Sequence, residues 1–377
     1  MKIVIAPDSF KGSLTAKDAA DAMAAGVLKH NPHAVIDKIP LADGGEGTAQ
    51  TLCDATGGRM VSVAVKDPLM RDITARYAAL GDGETAVIEM AEASGLPLLT
   101  AEERNPLVTT SYGTGQLVKA ALDAGCRRLI LAIGGSATND GGAGMMEALG
   151  VVFRDASGRP LAPGGGALNA LASISLSGMD ARLSQAECIA ACDVDNPLCG
   201  ERGASAVFGP QKGASAMDVQ LLDAGLARYG ELLAAASGRD FTNMPGAGAA
   251  GGMGAALAAF MDCRMESGAE IVKKEVRFAE RLAGADLLLT GEGRMDMQTL
   301  SGKTPYAAAL EAKRLQIPVI AVCGGLGDLS DAFYEYFRSV YSIVNRPMTL
   351  TEATAEAETL LTDAVYRVMR IFNSLAK

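Results

Sequence analysis

Tryptophan is absent from this chain, and histidine occurs only at His30 and His33. Two histidines close together near an expected helix end leave little material for imidazole catalysis, so acid–base work falls to Asp, Glu or Lys. No span of 18 apolar residues occurs, which argues against a membrane-crossing helix. The apolar start Ile3–Ala6 is too short for a signal-peptide core, so the cytoplasm is the expected location. Positive charge is also short: 34 basic against 44 acidic side chains give a net charge of −10. A sequence-independent nucleic-acid binder needs a basic face, so that class is set aside. The seven cysteines, at 53, 126, 188, 192, 199, 263 and 323, are scattered and odd in number, and no Cys/His set completes a zinc site. They are expected to be reduced packing residues.

Glycine, by contrast, is plentiful at 44 residues, and 49% hydrophobic with 21% charged residues is normal for a soluble globular enzyme. A length of 377 residues predicts two domains. Lys2 to Ala6 reads as a strand. A helix follows from about Thr15, where Thr15 and Asp18 fit a capping box, and Ala34 to Ile39 is a second strand. From Met60 the texture changes to short strands at 60–65, 73–80 and 85–90, which suggests a mixed or antiparallel sheet. The buried-strand style resumes at 287–289, 317–322 and 339–344, before an amphipathic helix over about 352–375. The simplest architecture is an open parallel α/β domain built from residues 1–60 plus 285–377, with 61–284 inserted as a mixed α/β domain.

The stretch Leu129–Met146, LILAIGGSATNDGGAGMM, reads as buried strand, glycine turn and helix start. Gly134, Gly135, Gly141 and Gly142 allow close approach to the main chain. Free N–H groups at a helix start suit an anion such as phosphate. Ser136, Thr138, Asn139 and Asp140 crowd polar groups into the same turn. The plain structural alternative is a tight strand-to-helix turn that binds nothing.

Two other motif matches lack their context. Gly246–Gly251 satisfies G-x-G-x-x-G, but the residues before it are Asp240, Thr242, Asn243 and Pro245 rather than a hydrophobic strand, so a nicotinamide enzyme is not expected. Gly302-Lys303-Thr304 resembles the tail of a P-loop, yet Met297 stands where its first glycine belongs; Lys303 remains free to touch a phosphate. The turn Thr290–Asp296 gathers Glu292, Arg294 and Asp296 at a strand end, where carboxylates suit Mg²⁺ and an arginine suits a phosphoryl group. Asp8, Ser9 and Lys11 follow the first strand, and Asp193 and Asp195 follow another; a helix cap and an Asx turn are their plain readings. Lys212, in a Gly/Pro loop, says little alone.

Taken together, APDSFKGSLTA, PLADGGEGT, DPLMR, PLVTTSYGTG, IGGSATNDGGAGM, ACDVDNPLCG, GASAVFGPQKGA, PGAGAAGGMGAAL and TGEGRMDMQTLSGK closely resemble, in order and over essentially the whole chain, the bacterial glycerate kinases of the first type. The resemblance implies transfer of the ATP γ-phosphoryl group to D-glycerate with Mg²⁺, giving 2- or 3-phosphoglycerate. It also implies two α/β domains, one with a Rossmann- or flavodoxin-like sheet, and a cleft between them. On that footing Gly134, Gly135, Ser136, Thr138, Asn139, Asp140, Gly141 and Gly142 are expected to cradle ATP phosphates, helped by Lys212. Asp193 first, and Asp8 second, would orient or deprotonate the attacking hydroxyl. Glu292 and Asp296 would hold Mg²⁺, and Lys11 and Arg294 would bind substrate carboxylate or phosphoryl oxygens. Glycerate and ATP are the expected partners, with neither nucleic acid nor membrane, and a homo-oligomer is left open. The alternatives are a kinase of another small hydroxy acid and a non-catalytic nucleotide or metabolite sensor on the same scaffold.

Overall fold

Ile3, Val4 and Ile5 are fully buried, and the strand Lys2–Ile5 that carries them runs inside a five-stranded parallel sheet. In this computed structural model, which describes residues 1–375, the strand order is Ser339–Ser342, Val319–Cys323, Leu287–Thr290, Lys2–Ile5, Val35–Lys38. Numbered within this sheet the order is 5-4-3-1-2, the doubly wound flavodoxin-like pattern, whose winding reverses between the first and third strands. The inner strands Leu287–Thr290 and Val319–Cys323 are buried along their whole length, as a sheet covered on both faces requires. One cover is Ala16–His30 packed on Ala357–Leu375, with Met23, Val27, Leu361, Val365 and Met369 in the shared core. Thr15 caps the first of these helices by accepting from the Asp18 amide, as its capping pattern predicts.

The second sheet has six strands in the order Arg264–Glu266, Glu187–Ala191, Arg128–Ala132, Thr85–Glu89, Asp72–Ala79, Arg59–Lys66. Its first four are parallel, and the last two join antiparallel, so it is the mixed sheet that the change of texture at Met60 suggested. It has its own core, with Tyr77, Leu117, Met146, Leu226 and Tyr229 among the buried side chains.

The chain divides into two units, 1–43 with the chain from Ala269 onward, and 44–268. Both joints fall earlier than the expected 60 and 285, for reasons visible in the packing. Helix Thr48–Thr56 lies on strands of the mixed sheet and is capped by Glu89 of that sheet. At the other joint, Arg281 bonds to Asp37 and Lys273 reaches the carbonyl of Ala307, which ties residues after 268 to the parallel sheet's unit. The ends of the inserted unit meet: a Cβ on Gly44 would lie 2.6 Å from the Gly268 Cα, so both chain crossings occur at one tight spot. The terminal helix differs from the single one expected. It breaks at Glu356 into Leu350–Ala355 and Ala357–Leu375. Among the described residues no helix is long and apolar enough to cross a membrane. All seven cysteines are free.

Candidate functional site

The reversal of winding in the parallel sheet puts the C-terminal ends of Lys2–Ile5 and Leu287–Thr290 side by side, the place where open α/β sheets leave a crevice. The backbones are fastened there. The Ala6 amide donates to Leu289, the Asp8 amide to Gly291, and the Thr290 hydroxyl to the Ala6 carbonyl at 2.7 Å. Asp8 and Glu292 therefore emerge as neighbours. Gly291 has to be glycine, since a Cβ would sit 1.9 Å from the Val322 carbonyl oxygen of the next strand.

A cavity of about 570 Å³ opens at this point, lined at one end by Asp8, Ser9, Lys11, Glu292, Arg294 and Lys303. Asp8 and Glu292 are buried, at 9% and 8% exposure. Burial, reinforced by the charge of Asp43, pushes the Asp8 carboxyl up to about 6, against the Thr304 hydroxyl, the Ser9 amide and Lys11, which favour its charged form. Burial likewise pushes Glu292 up to about 7, with Asp8 and Asp296 adding repulsion; the Thr299 hydroxyl, which donates to it at 2.7 Å, and Lys303 at 3.8 Å oppose the shift. Lys11 extends into solvent near Asp43. Arg294, also exposed, sits 3.5 Å from Asp296. This is a pair of desolvated carboxylates ringed by three cations.

Four of the expected site residues, Asp8, Lys11, Glu292 and Arg294, thus share one cavity. Asp296 is not part of its lining. It caps the turn Met297–Ser301, accepting from the Gln298 amide at 3.0 Å, so the partner that the fold gives Glu292 in the cavity is Asp8. Lys303, left free to touch a phosphate when the P-loop match failed, does enter the cavity together with Asp43, and Thr304, beside Asp8, was not singled out. The only hint for these was their place in polar turns at helix starts.

The glycine turn behaves differently. Gly134 and Gly135 are exposed, but Ser136 to Gly142 are buried and their polar groups face inward. Asp140 accepts from the Ser111 amide at 2.8 Å and the Ser111 hydroxyl at 2.9 Å, and also from the amides of Gly142 and Gly144. Asn139 donates to the Ser205 hydroxyl. Lys212, 1% exposed, donates to Ser136 Oγ at 2.8 Å and to the Thr138 carbonyl at 2.7 Å, and burial pushes its pKa down to about 7. The helix that follows, Ala143–Ala148, is six residues long. Over 136–142 the turn is thus tied to neighbouring loops, with Lys212 bonded to it, while Thr138 Oγ1 and Asn139 Oδ1 are buried without a hydrogen-bond partner. Gly246–Gly251 is likewise internal, with Gly251 packed on the Thr138 backbone and no strand leading into it. Asp193 is exposed beyond the C-terminal end of Glu187–Ala191, with Oδ1 3.3 Å from the Gly268 amide that donates to it.

The profile of the glycerate kinase family matches residues 3–373. A glycerate kinase of Bacillus subtilis is 50% identical over 358 residues, 95% of this chain and 94% of that one. A glycerate 2-kinase of Escherichia coli is 48% identical over 354 residues, 94% of this chain and 93% of that one. Among solved structures, one described as a candidate glycerate kinase 2 of Salmonella typhimurium LT2 aligns with a TM-score of 0.92 at 47% identity, covering 99% of this chain and 98% of that chain. These matches define a phosphotransferase that acts on an alcohol group. The chain belongs to the glycerate kinase family.

Proposed function

We propose that this protein transfers the γ-phosphoryl group of ATP to a hydroxyl of D-glycerate in the cytoplasm, in line, and that the product is 2-phosphoglycerate. The family match and the 48% identity to a protein named glycerate 2-kinase support the substrate and the position. The observation that carries the chemistry is the pairing of Asp8 and Glu292 beside Lys11, Arg294 and Lys303 at the reversal of the parallel sheet. Phosphoryl transfer asks for positioning and charge neutralisation rather than a covalent intermediate, and three cations around a small pocket supply the second.

Mg²⁺ is the expected metal. Among the described residues no group of three or more His, Cys, Asp or Glu could hold a metal unaided. Mg²⁺ needs only one or two carboxylates beside substrate phosphates, and two mutually repelling buried carboxylates gain by sharing a cation. Asp8 and Glu292 fit that need and would hold it, and the ion would supply charge neutralisation for the transferring phosphoryl group. The remaining work falls to side chains. Lys11, Arg294 and Lys303 hold phosphoryl oxygens. For the attacking hydroxyl, Asp8 lines the cavity and would help orient it, whereas Asp193 is exposed.

The test is ADP release measured across glycerate, lactate, tartronate and glycolate, with identification of the phosphorylated product. Turnover with glycerate and formation of 2-phosphoglycerate are expected. Turnover confined to another hydroxy acid would overturn the substrate, and 3-phosphoglycerate would overturn the position.

A further inference from the structure

The cavity beside Asp8 and Glu292 is much larger than glycerate requires, and its far end has no use for a small polar acid. Its volume of about 570 Å³ lies in the range of pockets that enclose drug-sized ligands, whereas a three-carbon hydroxy acid is polar at every carbon. Besides the charged residues the lining includes the aliphatic side chains Leu326, Ile343, Val344, Met348, Leu350 and Ala353, with Thr349 and Thr354 set among them. Several of these are unusually exposed for aliphatic side chains: Leu350 at 84%, Leu326 at 43% and Val344 at 42%. An apolar shelf at one end and three cations at the other is the polarity of a nucleoside polyphosphate, with a flat apolar base separated from its charge by a sugar.

The cavity beside Asp140 and Gly144 is about 20 Å³, room for one water molecule. Asp140 and Ser136 of the glycine turn are buried and hydrogen-bonded to Ser111 and Lys212.

We infer that the nucleotide binds wholly on the parallel-sheet unit, with its purine against Val344, Met348, Leu350 and Ala353 and its phosphates directed toward Lys11, Arg294 and Lys303. This deepens the kinase reading and rests on it. The apolar shelf belongs to the segment between the last sheet strand and the final helix, so of the groups named only Lys11 comes from the other end of the sequence.

Photolabelling of the full chain with 8-azido-ADP, followed by peptide mapping, tests the placement without relying on any variant. Label on residues 343–357, displaced by excess ADP, is expected; label on peptides from 44–268 overturns the inference. In parallel, Ala353→Phe fills the shelf and Leu350→Asp charges it. Each is expected to raise the KM for ATP at least tenfold while the KM for glycerate stays within about twofold. An unchanged KM for ATP in both, or a rise confined to glycerate, overturns the inference. The kinase reading fails separately, if the wild-type protein consumes no ATP with glycerate; turnover with label mapping outside the cavity removes only this inference.

Discussion

Asp8 and Lys212 show how burial at a single residue sets what can be measured. Replacing Asp8 by Asn keeps the shape and removes the charge, and kcat is expected to fall by about two orders of magnitude or more, the scale of a lost electrostatic group at the reacting centre. Asp193→Asn serves as the comparison, and a larger loss there than at Asp8 would reverse the assignment. For Lys212 the sign follows from linkage. Its folded pKa of about 7 lies below its ordinary 10.5, so between those values the folded form binds fewer protons than the unfolded chain, and stability rises with pH across that window. Denaturation curves from pH 7 to 10 are expected to show that rise in the wild type and to lose part of it in Lys212→Met. An identical slope in both would show that the buried ammonium is not its source. Gly291→Ala is expected to destabilise the parallel-sheet unit by about 2–4 kcal/mol, because the added methyl meets the Val322 carbonyl at the sheet's centre. Chemical denaturation measures it. The candidate residues at 8, 11, 292 and 294 were legible in the sequence because polar side chains at strand ends are conspicuous. That Lys303 and Asp43 join them in one cavity was not, since this depends on which strands become neighbours.

Secondary elements were legible where period and capping agreed. Thr15 and Asp18 announced the first helix, and unbroken aliphatic runs announced the parallel strands. What the sequence hid was the use of polar residues inside the fold. Ser136, Asn139 and Asp140, read as a ligand's reception, also tie loops together, because hydrogen bonds to Ser111, Ser205 and Lys212 join residues far apart in the chain. Helix Thr48–Thr56 is a second case. Its N-terminus begins at glycine with no side-chain cap of its own, and Glu89, at the end of a strand, accepts from the amides of Ala49 at 2.7 Å and Gly47 at 3.2 Å. Glu89→Ala is expected to cost about 1–3 kcal/mol by leaving buried donors unpaired. The loss should appear as faster hydrogen exchange in that helix, and unchanged exchange would show that water or another group takes over the cap.

On the scale of the whole molecule, the two units have separate cores and one of them is continuous in sequence. Residues 44–268 expressed alone are expected to unfold cooperatively, since their core contains no residue from outside that span. Gradual, non-cooperative melting would show that the insertion depends on the rest of the chain. The parallel-sheet unit is a different case, because its central strands Lys2–Ile5 and Leu287–Thr290 come from opposite sides of the insertion. Its boundaries were misplaced in the sequence reading because strand style marks where a sheet begins, whereas Glu89 and Asp37 decide to which unit the flanking helices belong.

The contact between Gly44 and Gly268 has a mechanical consequence. Because the insertion leaves and re-enters at one point, tension applied to the two ends of the chain reaches it only after the parallel strands that precede and follow it have been pulled apart. Drawn out in an optical trap, the protein should lengthen in two steps, the outer sheet yielding first and the inserted unit second.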